Sequence, residues 1–534
     1  MPAKPDGAAV PPRDPVQSRW QSLATALLRP AWTIGLGFAL LALALYSNLD
    51  FLPDDPMISL RYARHLIQYG ALEWNLGERV EGYTNFLHVM LSAGLMALGV
   101  DPILSARLVN VAAAALLTGA LWYGMQRLTA RDEEWVAGVG MLVVLSCAPL
   151  AMWIVGGLEG VLVAALQAAG LVCLVTAKPA ESHLKLWIAG LCFGLAVLTR
   201  PDAAIIAGAL MAGWFFVTRG SVRQRLVIAA QAALVAGAIV LAHLLWRYSY
   251  YGDLVPNTFY VKVGVPFDVR FPNALGYLRT GLVQLPVILV ALCLYALAVV
   301  EKTATRLMSM LAVTIGIHIA YVLWAGGDHM PGVRMYLQLL GIVGMLVVAC
   351  LAATPGDQRL IRGAVCVIVA GGSAAVAVPE RGDPATFVGG LIGRHLASTE
   401  IPGTLVALST AGSVPYHAPG LRFVDMLGLT DRTIARRNPL PILMHWQRLP
   451  GHAKGDGAYV LSRKPALIFF GPAEGFSADS PRFLTDKEIV DHPEFARCYR
   501  METVDIPYDP KDAGSAPPRP NPLRVVMYRR TCAT

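Results

Sequence analysis

Asp54-Asp55-Pro56-Met57-Ile58-Ser59 is the stretch on which the interpretation of this chain depends. Its two adjacent carboxylates are among the first polar residues after the first strongly apolar segment. The same loop, residues 50–103, continues to Glu81-Gly82-Tyr83-Thr84-Asn85 and is one of the most charged parts of an apolar half-chain. Charged groups between bilayer-length segments are costly unless they lie in water at the interface. We therefore predict that this first long loop carries the active site.

The composition indicates an integral membrane protein. Of the 534 residues, 55% are hydrophobic and 15% are charged, whereas soluble domains carry about 25% charged residues. The mean hydropathy is +0.52. The net charge is +8, but Lys and Arg are found mostly at the ends of apolar segments, which is the positive-inside pattern. That distribution argues against nucleic-acid binding.

Eleven segments are predicted to span the membrane because they are apolar over roughly 20 residues, or somewhat fewer where flanking groups can snorkel. They are residues 31–49, 104–126, 134–154, 158–177, 184–199, 203–217, 226–248, 279–300, 307–325, 335–354 and 361–378. Lys and Arg recur at every second connection, beginning with Arg19 and Arg29 before the first segment. The first long loop is therefore predicted to lie outside, and residues 1–30 to form a disordered cytoplasmic tail.

Residues 86–100 interrupt this alternation. The segment is apolar enough to cross, but it is short, and counting it as a span would invert every later loop. We interpret it as a juxtamembrane or re-entrant helix beside the Asp54 loop. The alternative, in which it crosses and another short segment does not, remains open.

Residues 379–534 have a different composition, with more Pro, Gly and charge and no bilayer-length apolar run. Short apolar runs at 404–408, 459–461, 466–470 and 524–528 are predicted as strands, so an extracytoplasmic α/β domain is expected. About 150 residues can bury a core of their own. The eight cysteines show no C-x-x-C spacing, and Cys498 and Cys532 could form a disulfide if this region lies outside the cytoplasm.

The stretch after Asp54-Asp55 alternates apolar residues with Arg61, Arg64 and His65 in a pattern typical of an amphipathic helix on the membrane surface. One carboxylate could simply cap that helix, because acidic residues favour helix N-termini. The other could act as a general base for a sugar hydroxyl or stabilise oxocarbenium charge. Both roles can coexist.

Several motifs resemble those of GT-C membrane glycosyltransferases, most closely terminal arabinofuranosyltransferases of the AftB type. They occur in the family's order over nearly the whole chain. They are residues 54–64, residues 75–85, Leu198-Thr-Arg-Pro-Asp202, residues 250–262, Gly326-Gly-Asp-His-Met-Pro-Gly-Val-Arg334, residues 424–431 and residues 451–457. The family often has an aromatic residue where His329 stands and an arginine where Val333 stands.

The resemblance implies a GT-C catalytic domain over residues 31–378 and a transferase that takes a sugar, here arabinofuranose, from a polyprenyl-phosphate donor. It implies a bacterial cytoplasmic (inner) membrane protein with its active site facing the periplasm or the cell exterior. The acceptor would be a cell-envelope glycan, and membrane lipid would surround the helices. The catalytic carboxylate maps to Asp54 or Asp55. Neither a cofactor nor a metal site is predicted, and a divalent metal requirement is left open.

The remaining site residues follow from chemistry. A donor phosphate needs cations at the interface, and the candidates are Arg61, Arg200, Lys262 and Arg334. Arg200 could instead pair with Asp202, and Lys262 could be a snorkelling lysine beside an aromatic belt. Candidates for sugar or acceptor binding are Glu81, Tyr83, Asn85, Asn257, Tyr260, Asp328 and His329. The Asp328-His329 pair could also be a plain polar turn, and Glu159 a helix cap.

Two other functions are compatible with the sequence. The same mechanism could transfer a hexose or aminoarabinose to lipid A or to a protein. A lipid-linked-sugar transporter would instead need mid-membrane charges and repeat halves. The apolar segments show few such charges and no visible repeat.

Overall fold

The computed structural model describes residues 29–177, 183–263, 265–375, 383–438, 441–514 and 516–532. These residues form a bundle of helices followed by a small sheet with short helices around it. Most of the predicted cytoplasmic tail lies outside the described residues, and so does the domain boundary predicted at residue 379.

The first part of the chain, up to residue 375, forms helices α1 to α16. Their bounds are α1 Pro30–Ser47, α2 Asp55–Tyr69, α3 Phe86–Ala97, α4 Pro102–Leu128, α5 Glu134–Leu145, α6 Ala148–Val155, α7 Gly160–Thr176, α8 His183–Thr199, α9 Ala203–Val217, α10 Val222–Tyr251, α11 Asn257–Val263, α12 Phe267–Gln284, α13 Val287–Val300, α14 Arg306–Ala325, α15 Leu340–Ala353 and α16 Gly356–Ala375. A 3₁₀ helix, Arg334–Leu339, leads into α15. Nearly every residue of α7 and α15 is buried, so these two uniformly apolar helices form the centre of the bundle.

The structure supports a multi-pass membrane protein but does not confirm eleven spans. Among the described residues, five helices are long and apolar enough to cross a membrane, or seven if each of two bent pairs is one span. The prediction of one continuous helix over 279–300 is wrong, because α12 and α13 meet there at an angle of 82°. Pro286 stands at that break, and proline cannot donate the hydrogen bond that a helix interior requires.

The apolar segment predicted as a juxtamembrane or re-entrant helix is the short helix α3. Helix α3 has 12 residues and is therefore about 18 Å long. A bilayer's hydrocarbon core is about 30 Å thick, so α3 is too short to cross alone. It packs between α2 and α4, beside the Asp54 loop.

The C-terminal region contains five strands and six further short or medium helices in its described residues. The strands are β1 Leu405–Leu408, β2 Arg422–Asp425, β3 Leu467–Ile468, β4 Tyr499–Ile506 and β5 Leu523–Arg530, and the helices are α17 Pro384–Thr399, α18 Ser413–His417, α19 Arg432–Arg436, α20 Gly457–Ser462, α21 Leu484–Val490 and α22 Pro493–Cys498. The strand order is β2-β1-β3-β5-β4. Strand β1 is parallel to β2 and β3, whereas β5 is antiparallel to β3 and β4. This is the mixed α/β arrangement expected from sequence.

One predicted strand is wrong. Residues 459–461 belong to helix α20, whose first turn is capped by Asp456 accepting a hydrogen bond from the backbone of Tyr459. A side-chain oxygen at that position satisfies an otherwise unpaired helix N–H. The predicted strands at 404–408, 466–470 and 524–528 correspond to β1, β3 and β5.

The C-terminal region shares part of its core with the first long loop. One apolar cluster joins Ile58, Tyr62 and Trp74 to Val406 and Phe423 of the sheet. A second cluster on the sheet belongs to the C-terminal region alone. The expectation of a self-contained C-terminal core therefore holds for only one face of the sheet, because the other face is covered by α2 and the loop that follows it.

Cys498 and Cys532 are paired in a disulfide that closes a segment of 34 residues between α22 and the end of β5. Five of the six free cysteines lie in apolar helices, and Cys147 lies at the break between α5 and α6.

We expect the double variant Cys498→Ser/Cys532→Ser to be less stable by about 3–4 kcal/mol, because a bond that closes a loop of this length restricts the unfolded chain. Thermal unfolding of the purified protein in detergent measures the loss. Cys293→Ala, which removes an exposed free thiol, is the control. Unchanged unfolding of the double variant would contradict the disulfide's role.

Candidate active site

The two adjacent aspartates have different surroundings. The Asp54 carboxylate accepts hydrogen bonds from the backbone N–H groups of Gly412 at 2.8 Å and Ser413 at 2.6 Å. Its own N–H donates to Asp383 at 3.0 Å. Asp54 makes no side-chain cap on α2, so the capping role expected from sequence is wrong. Its carboxylate instead fastens the first long loop to the C-terminal region.

Gly412 is required at this contact. A Cβ there would lie 2.1 Å from the Asp54 carbonyl oxygen and 2.5 Å from Oδ2. No other residue type lets the two segments approach so closely. Burial raises the pKa of Asp54 to about 7, against the effect of the hydrogen bonds from Ser413.

The Asp55 carboxylate makes fewer contacts than that of Asp54. Asp55 is the first residue of α2, and its side chain is 29% exposed. Its Oδ2 lies 3.7 Å from Nη2 of Arg334. It makes neither of the backbone contacts that hold Asp54. Of the two predicted catalytic carboxylates, Asp55 is therefore the one whose oxygens are less occupied.

Arg334 connects Asp55 to the Gly326–Arg334 loop. Its Nε donates to Asp328 at 2.5 Å, and its guanidinium lies over the Trp153 ring at 5.6 Å. Val333 just before it has φ of +38°, which is a strained conformation for a β-branched residue, costing of order 1–3 kcal/mol. Strain of this kind persists only where the surrounding structure enforces it. Here the strained residue directly precedes Arg334.

Two further cations, Lys262 on α11 and Arg270 on α12, lie near the Gly326–Arg334 loop. Lys262 acts on Asp328 electrostatically, yet its ammonium makes no hydrogen bond or ion pair within the described ranges. Burial opposes the ionised form of Asp328, but Arg334 and then Lys262 outweigh it, holding the pKa of this carboxyl well below its usual range.

Arg270, on α12, is 8% exposed, and its Nε and Nη1 are buried without a partner among the residues described. It lies over the Trp324 ring at 4.9 Å, and its Cβ is close to Gly326 at the start of the loop. A buried guanidinium with unused donors is costly unless an anion joins it. It is the strongest candidate for an additional phosphate ligand.

A cavity of about 290 Å³ opens beside this cluster. One wall is the loop from Asp328 to Val333, and another is Leu449 and Pro450 of the C-terminal region. The third wall is one face of α12, formed by the polar residues Asn273, Tyr277, Thr280 and Gln284.

His329 is also at the cavity. Its backbone N–H donates to Asp328, and its ring packs edge-on against His452 at 4.8 Å. His452 lies in the predicted 451–457 turn, and burial lowers its pKa to about 3. The site therefore includes side chains from both parts of the chain. No group of three or more His, Cys, Asp or Glu side chains that could hold a metal occurs in the part of the chain that the structure covers.

Arg61 does not join the cluster. It is 2% exposed, and its guanidinium donates to the backbone carbonyls of Trp74, Pro415 and Leu421. Helix α2 does form over the predicted residues, but most of it is buried beneath the C-terminal region. The prediction of a surface helix is wrong for that reason. The predicted role of Arg61 at a donor phosphate finds no support in these contacts.

Arg200 is also occupied. It binds Asp202 at 2.9 Å and Glu159 at 2.7 Å. The interpretation of Arg200 as a structural partner of Asp202 is therefore the better one. Glu159 makes no cap contact on the following helix. Its carboxylate instead forms the ion pair with Arg200.

Most of the predicted sugar-binding residues hold the loops together. Glu81 binds Arg247 at 2.7 Å, Asn85 accepts a hydrogen bond from Ser59, and the Tyr83 hydroxyl contacts that of Tyr251. The side chain of Asn257 donates to carbonyls of Gly428, Leu429 and Asp431, and the Tyr260 hydroxyl donates to Asp253. Of the predicted set, only Asp328 and His329 line the cavity.

The cavity face of α12 and Arg270 are not among the residues predicted from sequence. Positions 270, 273, 277, 280 and 284 follow the 3–4 spacing of one helix face. That periodicity was available in the sequence. The periodicity is hard to recognise because an apolar run begins near residue 279, inside the helix that ends at Gln284. That run was interpreted as the start of a membrane span.

Comparisons with known proteins agree with this architecture. A domain of unknown function (DUF8728) matches residues 385–510. The terminal beta-(1->2)-arabinofuranosyltransferase of Mycobacterium tuberculosis is 28% identical over 228 residues. That alignment covers 40% of this chain and 35% of the relative, so the chain matches about a third of that protein's length.

Two solved structures have a similar fold. ArnT from Cupriavidus metallidurans bound to undecaprenyl phosphate aligns with a TM-score of 0.54 and 12% identity, covering 96% of this chain and 98% of ArnT. The oligosaccharyltransferase AglB from Archaeoglobus fulgidus, in complex with an inhibitory peptide and a dolichol-phosphate, aligns with a TM-score of 0.50 and 10% identity over 76% of this chain and 64% of AglB. The predicted resemblance to GT-C glycosyltransferases is confirmed, and the fold is GT-C-like.

We expect Arg61→Met to destabilise the protein by about 3 kcal/mol, because three buried carbonyls lose their donor. Thermal unfolding in detergent measures the change. Arg524→Met, at an exposed ion pair with Asp505, should change stability little. A fully stable Arg61→Met variant that no longer binds polyprenyl phosphate would restore Arg61 as a ligand.

The raised pKa of Asp54 predicts a pH-dependent stability. Because the folded-state pKa is about 7 and the unfolded value is 3.8, the folded protein binds more protons between those values. Stability should therefore fall as the pH rises from about 4 to 7. The unfolding temperature of wild type should drop more between pH 5 and pH 8 than that of Asp54→Asn. Asp50→Asn is the control, and equal slopes in wild type and Asp54→Asn would contradict the assignment.

Proposed function

We propose that this protein is a membrane glycosyltransferase that transfers a sugar, arabinofuranose, from a polyprenyl-phosphate donor to a cell-envelope glycan. The observation that carries the proposal is the difference between the contacts of Asp54 and those of Asp55. Both oxygens of Asp54 accept hydrogen bonds from the backbone of Gly412 and Ser413. The Asp55 side chain is partly exposed and lies 3.7 Å from Arg334.

The proposed step follows from this arrangement. The acceptor hydroxyl oxygen attacks the anomeric carbon of the donor sugar, and the hydroxyl proton moves to the Asp55 carboxylate. The bond between the anomeric carbon and the phosphate oxygen breaks, and its electron pair leaves with the polyprenyl phosphate. The phosphate gains one negative charge as the new glycosidic bond forms.

Lys262 and Arg270 are proposed to bind that phosphate. Neither cation forms an ion pair with a residue that the structure describes, and both lie near the Gly326–Arg334 loop. Charge that develops on the leaving group would be stabilised by such preorganised donors. Arg334, already paired with Asp328 at 2.5 Å, is proposed to orient Asp55 rather than to hold the phosphate.

The identity of the sugar rests on sequence similarity. The relative at 28% identity is a terminal arabinofuranosyltransferase, and the motifs around Asp54 and Asp328 resemble that family. The polyprenyl-phosphate donor is supported by the likeness of the fold to ArnT, whose structure contains undecaprenyl phosphate. Transfer of a hexose or aminoarabinose to lipid A or protein by the same residues is the alternative within the same mechanism.

The proposed topology places the first long loop and residues 379–534 on the extracytoplasmic side, with residues 31–378 as the catalytic membrane domain. Their mutual contacts support a common side, because Asp54 and Asn257 each bind backbone groups of the C-terminal region. Donor and acceptor would then meet at the outer membrane–water interface.

We expect Asp55→Asn to lower the transfer rate by about 10²–10⁴-fold, since the variant cannot accept the acceptor's proton. The assay uses purified protein, synthetic decaprenyl-phospho-arabinofuranose and an arabinan oligosaccharide, with product mass as the readout. Asp50→Asn, an exposed carboxylate nearby, should retain wild-type activity.

The outcome separates the hypotheses. Transfer that survives in Asp55→Asn but is lost in a folded Asp54→Asn would assign the base to Asp54. Wild-type protein that binds the lipid but transfers no pentose would direct the assay to hexose and aminoarabinose donors. Movement of the lipid across vesicle membranes without transfer would favour a transporter.

A further inference from the structure

We propose that the cavity between α12 and the C-terminal region binds the single sugar ring being transferred, and that Gln284, Thr280 and Tyr277 read its hydroxyl groups. This inference rests on the proposed function and identifies where that function's sugar specificity resides. None of these three residues was expected from the motifs of the first long loop.

The size of the cavity fits one ring. Its volume is about 290 Å³, which is at the lower end of the roughly 300–1,000 Å³ typical of small-molecule pockets. A pentose or hexose ring fits this space, whereas an oligosaccharide does not. The cavity therefore suits the transferred sugar better than the glycan acceptor.

The lining has the chemistry of carbohydrate recognition. Thr280 and Gln284 bring a hydroxyl and an amide to the same helix face as the Tyr277 ring. The Gln284 Oε1 is buried and accepts no hydrogen bond from any residue that the structure describes. An unsatisfied buried acceptor is unfavourable, and a sugar hydroxyl would satisfy it.

The Tyr277 side chain is fixed before any ligand arrives. Its ring stacks on Tyr336 with centroids 5.4 Å apart, and its hydroxyl accepts a hydrogen bond from the backbone N–H of Met335. A rigid aromatic wall loses little conformational entropy when a sugar binds against it.

The position of the cavity matches its proposed role. Asp328 and His329 lie in its wall, and Asp328 binds Arg334, which in turn approaches Asp55. A sugar in the cavity would thus be close to the proposed base, while Lys262 and Arg270 flank the same loop. The cavity and the proposed phosphate cations are two subsites of one donor site.

The C-terminal region closes the cavity. Leu449 and Pro450 form a wall opposite α12, and the side chain of Asn273 on α12 donates to the carbonyl of Arg448. A segment of the C-terminal region therefore bounds the cavity on one side.

The test compares two lipids with the full-length protein in detergent. Binding of decaprenyl-phospho-arabinofuranose and of bare decaprenyl phosphate is measured for wild type, Gln284→Ala and Val283→Ala. Val283 is the neighbouring exposed residue on the other side of α12. We expect Gln284→Ala to weaken binding of the sugar-bearing lipid about three- to tenfold, the effect of one neutral hydrogen bond. Its affinity for the bare lipid and all affinities of Val283→Ala should stay within twofold of wild type.

A second variant tests the cavity itself. Leu449→Trp should fill the space and remove the preference for the sugar-bearing lipid while leaving binding of the bare lipid intact. Equal weakening of both lipids by Gln284→Ala, or an unchanged preference in a folded Leu449→Trp variant, would overturn the assignment of the cavity. Failure of wild type to bind either lipid would instead overturn the proposed function on which it rests.

Discussion

The contact between the Asp54 carboxylate and the backbone of Gly412 and Ser413 is the constraint on which the site depends. It joins residues 358 positions apart in the chain. A carboxylate that accepts two backbone N–H groups at 2.6–2.8 Å makes charge-assisted hydrogen bonds, and glycine at 412 allows the approach. Arg61 reinforces the same junction by donating to carbonyls on both sides of it. With α2 held in this way, Asp55 lies 3.7 Å from Arg334.

This arrangement explains why the neighbouring residues Asp54 and Asp55, which have the same side chain, make different contacts. Successive residues at the start of a helix point in directions about 100° apart. Asp54 consequently meets the C-terminal region, and Asp55 meets the Gly326–Arg334 loop. Burial raises the pKa of Asp54, whereas Asp55 remains partly exposed beside a guanidinium. The specificity of the proposed chemistry thus comes from the surroundings of each carboxylate.

Much of the fold could be predicted from sequence, because apolar segment length, composition and strand-like runs are local signals. The apolar helices and the C-terminal α/β region belong to this group, whereas the GT-C resemblance rests on motifs that occur in the family's order. The roles of Asp54, Asp55, Asp328 and Arg334 stay predictions. Long-range packing could not be predicted. In the sequence, Arg61 has the features of an exposed interfacial arginine, but in the structure its guanidinium binds the carbonyls of Pro415 and Leu421. Glu81 was predicted to bind sugar, but in the structure it pairs with Arg247. The bend at Pro286 had a local signal, the proline itself. The apolar run from residue 279 through this proline nevertheless led to one predicted span, so a helix carrying part of the cavity was merged with it.

The shared construction of the site has a consequence for how the protein matures. Both the partner of Asp54 at Gly412 and the cavity wall at Leu449 and Pro450 are synthesised long after the first long loop. At about 5–20 residues per second, roughly 20–70 s separate the synthesis of Asp54 from that of Gly412. During that interval the nascent chain already has its carboxylates and several of its helices, but lacks the segment that closes the cavity. Completion of the site is therefore coupled to the folding of the C-terminal region.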